Sequence, residues 1–190
     1  MKKKNNNELS KTEQKKEKLG PIYWIFIAIV AIGIVYIAFI KFMCYKHSFT
    51  VVIGDSMYPT LKGNGKEYLL CDKNIEPKTG DLVTIKIDKN NMYTKRVIAV
   101  PGDVVSLEDG IICVNGEPSK YQLKEYKGKE TEYLNKEGYK VEEGKYYCLG
   151  DNINISNDSK YLGTFERDKI RVVTKVWRLK FALPFCKKNI

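Results

Sequence analysis

The stretch VVIGDSMYPTL, residues 51–61, places a serine after a Gly-Asp pair and ahead of Met57, Tyr58 and Pro59. Ser56 is either a turn residue or a nucleophile, and a nucleophilic hydroxyl needs a base to take its proton. The chain has one histidine, His47, nine positions before Ser56. A Ser-His-Asp triad needs its histidine held by an acid in a packed site. His47 lies seven residues after a long apolar run that ends at Ile40 and reads as an interfacial residue instead. Lysine is the alternative. An unperturbed lysine of pKa about 10.4 is neutral only about 0.04% of the time at pH 7, a cost of about 4.6 kcal/mol. Burial in apolar surroundings lowers that pKa by up to about 3–5 units. The base is therefore to be sought among lysines with apolar strand neighbours.

Lys95 fits that description. In YTKRVIAVPGD, strand alternation predicts Tyr93, Lys95, Val97 and Ala99 on one face and turns Arg96 to the other. Lysines in strands ordinarily snorkel to water, so the assignment rests on its combination with the motifs around it.

Those motifs are GDSMYPTL (54–61), GDLV (80–83), KRVIAVPGD (95–103) and GDNINISNDSKYLG (150–163). In this order and spacing they resemble the bacterial type I signal peptidase family, in its Gram-positive single-span form. The resemblance covers residues 54 to about 163. It implies a membrane-bound serine endopeptidase with a Ser-Lys dyad that removes signal peptides from exported proteins as they leave the translocation machinery. Cleavage after small residues in an Ala-x-Ala-like context is part of the same expectation.

Residue by residue, the resemblance makes Ser56 the nucleophile and Lys95 the general base. Ser156 matches a serine that hydrogen-bonds the lysine and aims it, Asp158 and Lys160 an acid–base pair bracing the site, and Asp151 and Asn152 a supporting loop. The backbone N–H of Ser56 is expected to stabilise the oxyanion. Ile53, Met57 and Tyr58 are placed to contribute to the substrate pocket. The chain departs from the family in two telling places. Gly54 replaces a serine found in some members, leaving the oxyanion to backbone N–H groups. Lys160 stands where the family usually has arginine, and a point charge braces a carboxylate less rigidly than a fork. Ile153 and Ile155 replace more usual polar residues, and TFERDKI after Gly163 matches loosely. Taken singly, GDNINISNDS is a loop of Asx turns with two glycosylation sequons, at Asn154 and Asn157, and VPGD is a turn; the ordered set outweighs these readings.

The elements that must position these residues read as short strands. GDLVTIKI (80–87), YTKRVIAV (93–100), KYYCLG (145–150) and RVVTKVWRL (171–179) are rich in Val, Ile, Thr and Tyr. EDG between VVSL and IICV marks a hairpin, and Asn115-Gly116 the next turn. The expected fold is all-β, with antiparallel sheets forming a sandwich or partly open barrel. A small insertion near 117–140 contains the one stretch, 119–140, with any helical character.

Ahead of this domain, PIYWIFIAIVAIGIVYIAFI (21–40) is twenty residues without a charge. As a helix its apolar part reaches about 29 Å, close to the roughly 30 Å hydrocarbon core of a bilayer. It exceeds the apolar region of a cleavable signal peptide, and KFMCYKHSF after it offers no small-residue cleavage site. Pro21 suits a first helical turn, and Tyr23, Trp24, Tyr36 and Tyr45 suit interfacial belts. Residues 1–20 carry seven lysines against three glutamates. The positive-inside rule therefore keeps this polar, disordered tail in the cytoplasm and exports residues 41–190. At most roughly 55 Å of chain separates Ile40 from Ser56, which keeps the nucleophile near the bilayer of the bacterial cytoplasmic membrane.

Of the net charge of +10, the tail supplies +4 and the exported part +6, suited to a lipid bilayer with anionic headgroups. Twenty-nine lysines against four arginines, without a basic stripe, argue against nucleic-acid binding. The five cysteines form no Cys-x-x-Cys pair, so neither a metal site nor a cofactor is expected. An odd number cannot pair fully; buried free thiols and one or two disulfides both stay open. Three other functions compete. A dedicated Ser-Lys peptidase for pilin or conjugation substrates differs only in substrate. A self-cleaving regulator would need an Ala-Gly or Cys-Gly bond, which the chain lacks. A non-catalytic membrane-tethered binding domain would have no need of Ser56 and Lys95.

Overall fold

The computed structural model describes residues 20–88 and 91–178, with the backbone alone for 43–46. The basic tail lies outside the described residues, apart from Gly20. The chain divides into two compact units, one ending at Phe42 and the other starting at Met43.

The apolar run forms helix α1 (Pro21–Lys46). It continues past the expected end at Ile40 because KFMCYK contains no proline, glycine or β-branched residue to stop it. Through Phe42 its apolar side chains, Ile22, Trp24, Phe26 and Ile37 among them, are exposed on every face. A helix apolar all round and uncovered is one built for lipid.

The second unit is built from antiparallel strands: β1 (His47–Ile53), β2 (Asn64–Asp72), β3 (Leu82–Lys86), β4 (Met92–Ala99), β5 (Val104–Glu108), β6 (Ile111–Val114), β7 (Glu117–Pro118), β8 (Tyr139–Lys140), β9 (Lys145–Leu149), β10 (Phe165–Glu166) and β11 (Ile170–Arg178). A seven-stranded sheet has the order β1-β2-β11-β3-β4-β9-β10, and a four-stranded sheet the order β7-β6-β5-β8. Neither sheet closes on itself, so the fold is the expected all-β, partly open arrangement. The two predicted turns have matching geometry. Asp109-Gly110 joins β5 to β6 and Asn115-Gly116 joins β6 to β7, all four residues with positive φ (48° and 82°, 56° and 82°). Two-residue loops of this kind follow the right-handed twist of the strands, and Asn or Asp followed by Gly adopts them at least cost.

Three apolar clusters make the core. Met57 and Leu61 pack with Val52, Leu69 and Cys71 beneath the β1–β2 connection. Val83, Ile85, Val97, Tyr146 and Cys148 cover one face of the large sheet. Ile98, Ala99, Val105, Ile112, Tyr126, Leu134 and Tyr147 join the two sheets. Ala99 therefore does not share the Lys95 face, contrary to what alternation predicts. The β4–β9 register shifts between Val97 and Ala99, and a bulge turns the following side chain to the other side. Residues 119–138 hold no helix, only an isolated bridge from Thr131 to Leu134, and are anchored by buried Tyr126 and Leu134. Cys71, Cys113 and Cys148 are buried free thiols.

Candidate active site

Ser56 sits in the loop between β1 and β2. The Gly54 N–H donates to Gly63 O at 3.0 Å and closes the base of that loop. Inside it, Leu61 N–H donates to Met57 O at 2.9 Å, and both apolar side chains are sunk in the core. A buried carboxylate holds the loop's return: Glu67 accepts from Lys62 N–H at 2.5 Å and from the Arg178 guanidinium at 3.0 Å. Apolar anchors on one side and this carboxylate on the other leave Ser56 partly exposed in a fixed loop.

Lys95 comes from β4. It is opposite Val83 of β3, on the face shared by Val97 and its cross-strand partner Cys148. The side chain is 3% exposed, and Nζ donates to Ser56 Oγ at 2.9 Å. Burial holds its pKa down at about 8; the Asp158 carboxylate opposes that shift, Lys160 adds to it, and Cys148 opposes it weakly. Desolvation is thus the main cause, as the apolar strand neighbours require.

The loop after β9 supplies the rest. Asn152 N–H donates to Ser56 O at 3.0 Å, and its side-chain amide donates to Asp55 O at 3.2 Å. The neighbouring Asp151 receives the Arg96 fork, Nε at 2.8 Å and Nη2 at 2.7 Å, and is also hydrogen-bonded by the Thr60 hydroxyl. Asp158 and Lys160 are fully buried, with Nζ 2.9 Å from Oδ1 and donating also to Ser156 O at 2.5 Å. Asp158 further accepts Gly150 N–H at 2.9 Å and caps the short helix α2 (Ser159–Leu162). Ser156 is buried beside these groups, but among the described residues its hydroxyl has no hydrogen-bond partner, and the expected bond to Lys95 is not formed. The hydroxyl instead lies against Gly150, where a β-carbon would be only 2.2 Å from Oγ.

A cleft of about 680 Å³ opens over Ser56 and Lys95, with β1 on one side and β4 on the other. Ile53 lines it and is 58% exposed, whereas Met57 reaches it from the core and is 1% exposed. Tyr58 is half exposed and does not line it. The Ser56 N–H makes no hydrogen bond among the described residues and is free to face an oxyanion. His47 stands at the far end of β1 opposite Asp72. The run of strand from His47 to Ile53 puts it about 20 Å from the nucleophile loop at about 3.3 Å per residue. Among the described residues no cluster of three or more metal-ligating side chains occurs.

The family model for signal peptidase, peptidase S26, matches residues 22–177, most of the chain. The chain belongs to the signal peptidase S26 family. Signal peptidase IB of Staphylococcus aureus strain Mu50 is 32% identical over 181 residues, covering 86% of this chain and 91% of that protein. Signal peptidase I of Bacillus licheniformis is 30% identical over 171 residues, covering 84% and 90%. A solved signal peptidase I from Enterococcus faecalis V583 is 26% identical, with a TM-score of 0.42, covering 53% of this chain and 98% of that one.

Within this signal peptidase chain, the site holds residues that sequence reasoning passed over. Arg96 was expected only to point away from Lys95; it does so, and braces Asp151. Its partner lies 55 positions on, and nothing local announces it. Thr60, Gly150 and Glu67 are likewise legible only once strands and loops are brought together.

Proposed function

We propose that the protein is a membrane-anchored serine endopeptidase that removes signal peptides from exported preproteins, with Ser56 as nucleophile and Lys95 as general base. The observation that carries this reading is the 2.9 Å contact between Lys95 Nζ and Ser56 Oγ, made by a buried lysine on the floor of an open cleft. At a pKa of about 8, roughly one lysine in ten is neutral at pH 7, against about 0.04% for an unperturbed one.

Neutral Lys95 accepts the Ser56 proton as the hydroxyl oxygen attacks the scissile carbonyl. The Ser56 N–H faces the oxyanion that forms. The lysine ammonium then protonates the leaving amine of the mature chain, and the signal peptide remains as an ester on Ser56. Lys95, neutral again, takes a proton from water as the water oxygen attacks the ester carbonyl, then returns it to Ser56 Oγ as the ester C–O bond breaks, releasing the signal peptide's carboxyl end and restoring Ser56. Asp158 and Lys160 brace the site, and Asp151 and Asn152 hold the loop to Ser56. Ser156 aims the lysine only after a change of rotamer that carries its oxygen from Gly150 toward Nζ. Ile53 and Met57 contribute to the substrate pocket, which Tyr58 does not line.

Helix α1 anchors the enzyme in the lipid of the bacterial cytoplasmic membrane. The excess of lysine before it, seven against three glutamates, supports a cytoplasmic N-terminus and an extracytoplasmic catalytic domain. There the domain meets preproteins leaving the translocation machinery. The test is cleavage of a preprotein bearing an Ala-x-Ala site by the full-length protein in detergent. Accurate cleavage is expected, abolished in both Ser56→Ala and Lys95→Ala. Full activity in Lys95→Ala overturns the dyad.

A further inference from the structure

We propose that Tyr126 and Tyr161 form an aromatic cradle that completes the surroundings of the Lys160 ammonium, making Tyr126 a positioning residue for the Asp158–Lys160 pair beside the base. This rests on the Ser56–Lys95 reading.

Lys160 is fully buried, and a buried ammonium is costly unless all its donors are met. Two hydrogen bonds are present, to Asp158 Oδ1 and to Ser156 O. Two tyrosine rings also lie near: Nζ is 4.9 Å from the Tyr161 ring centre and 6.0 Å from that of Tyr126. Both distances are within the range of cation–π attraction, which strengthens where water is excluded. An arginine here would bring a planar fork with five donors; the lysine brings three and leaves room that the rings fill.

Tyr126 is itself fixed. It is buried, its hydroxyl donates to Lys129 O at 3.1 Å, and it lies 3.2 Å from the Tyr161 hydroxyl. Its segment is fastened to the catalytic loop at further points. Lys127 N–H donates to the Asn154 side chain at 2.9 Å, and the Asn154 amide donates to Glu125 O at 3.0 Å. The Thr131 hydroxyl bonds to Lys160 O. The stretch that reads in sequence as an insertion is thus a buttress behind the base. Its effect reaches Lys95 through charge. Lys95 is faced by Ser56, Asp158, Lys160, Cys148 and the Tyr93 ring. If the Lys160 ammonium shifts away, Asp158 acts on Lys95 with less opposition and favours its protonated form.

The experiment measures kcat and KM for an Ala-x-Ala preprotein from pH 6 to 10, using full-length protein in detergent. Tyr126→Leu is expected to lower kcat at pH 7 by about threefold to tenfold and to move the acid limb up by about half to one pH unit, with KM little changed. Tyr126→Phe, which keeps the ring, stays within about twofold of the parent. In a Lys160→Arg background, Tyr126→Leu costs less than about twofold, because the fork grips Asp158 without the cradle. Parental kcat and pH profile in a folded Tyr126→Leu protein overturn the cradle. So does an equal loss in Tyr126→Phe or in the Lys160→Arg background. Should Tyr126→Leu fail to fold, Tyr161→Leu removes the nearer, half-exposed ring and carries the same expectation. If the parent cleaves nothing, the peptidase reading fails, and NMR titration of Lys95 in lysine-labelled protein still decides the cradle: an upward shift in Tyr126→Leu supports it, and an unmoved titration overturns it.

Discussion

The backbone N–H of Asn152 donates to the carbonyl oxygen of Ser56 at 3.0 Å. With the Asn152 side-chain bond to Asp55 O and the Thr60 bond to Asp151, it joins the Ser56 loop to the loop that leads to Asp158 and Lys160. Ser56, Lys95 and the Asp158–Lys160 pair are thereby held by contacts between three segments that are distant in sequence.

At Gly150 two of those segments come close together. A β-carbon there would lie 2.2 Å from Ser156 Oγ and 2.5 Å from Ser56 O, and the second neighbour is backbone that cannot swing aside. Gly150→Ala should destabilise the protein by about 1–3 kcal/mol. It should also displace Ser56, lowering kcat by about tenfold to a hundredfold. Thermal unfolding and preprotein cleavage check both; parental values for the variant would contradict the close approach.

Arg96 grips Asp151 through two donors, with the Asp151 side chain 2% exposed. Lysine cannot reproduce that fork. Arg96→Lys should lose about 1–3 kcal/mol of stability and lower kcat more than it raises KM, since Asp151 and the adjoining Asn152 position Ser56 and neither lines the cleft. A change confined to KM would place Arg96 with substrate binding instead.

Lys95 should weaken the fold it serves. Its folded pKa of about 8 lies below the ordinary value of 10.5, so between those values the unfolded chain holds more protons and stability rises with pH. Below about pH 8 both states are protonated and the full penalty of the buried ammonium applies. Lys95→Met, inactive, should therefore be more stable than the parent by about 2–4 kcal/mol at pH 7. The gap should close between pH 8 and 10.5. Denaturation of both proteins across pH 6 to 11 measures it, and a gap that widens with pH would reverse the sign.

Ser156 buries a hydroxyl without a partner among the described residues. Ser156→Ala removes an unsatisfied group, and stability should hold within about 0.5 kcal/mol or rise slightly. A fall in kcat without a fall in stability would then report a lost aim on Lys95. A loss of several kcal/mol would mean that the hydroxyl is bonded in the native state.

Much of this was legible in sequence, for definite reasons. Strand alternation put Lys95 beside Val97, and the Asp-Gly and Asn-Gly pairs marked turns, because both signals are local. Ser56 and Lys95 stood out through motif order together with the shortage of histidine. Alternation failed at Ala99, where a bulge resets the face without a sequence cue. The helical character of 119–140 gave way to irregular chain because Tyr126 and Leu134 are buried against the sheets rather than along a helix face. Arg96, Glu67 and the rings around Lys160 could not be read in advance: each takes its meaning from a partner dozens of residues away or from a departure at another position.

The most direct measurement is the pH dependence of kcat/KM for preprotein cleavage by the full-length protein, the parent beside His47→Asn. The Ser-Lys mechanism predicts an acid limb near pH 8, the same in both proteins. An acid limb near pH 6.5, the ordinary range of histidine, that disappears in His47→Asn would contradict it.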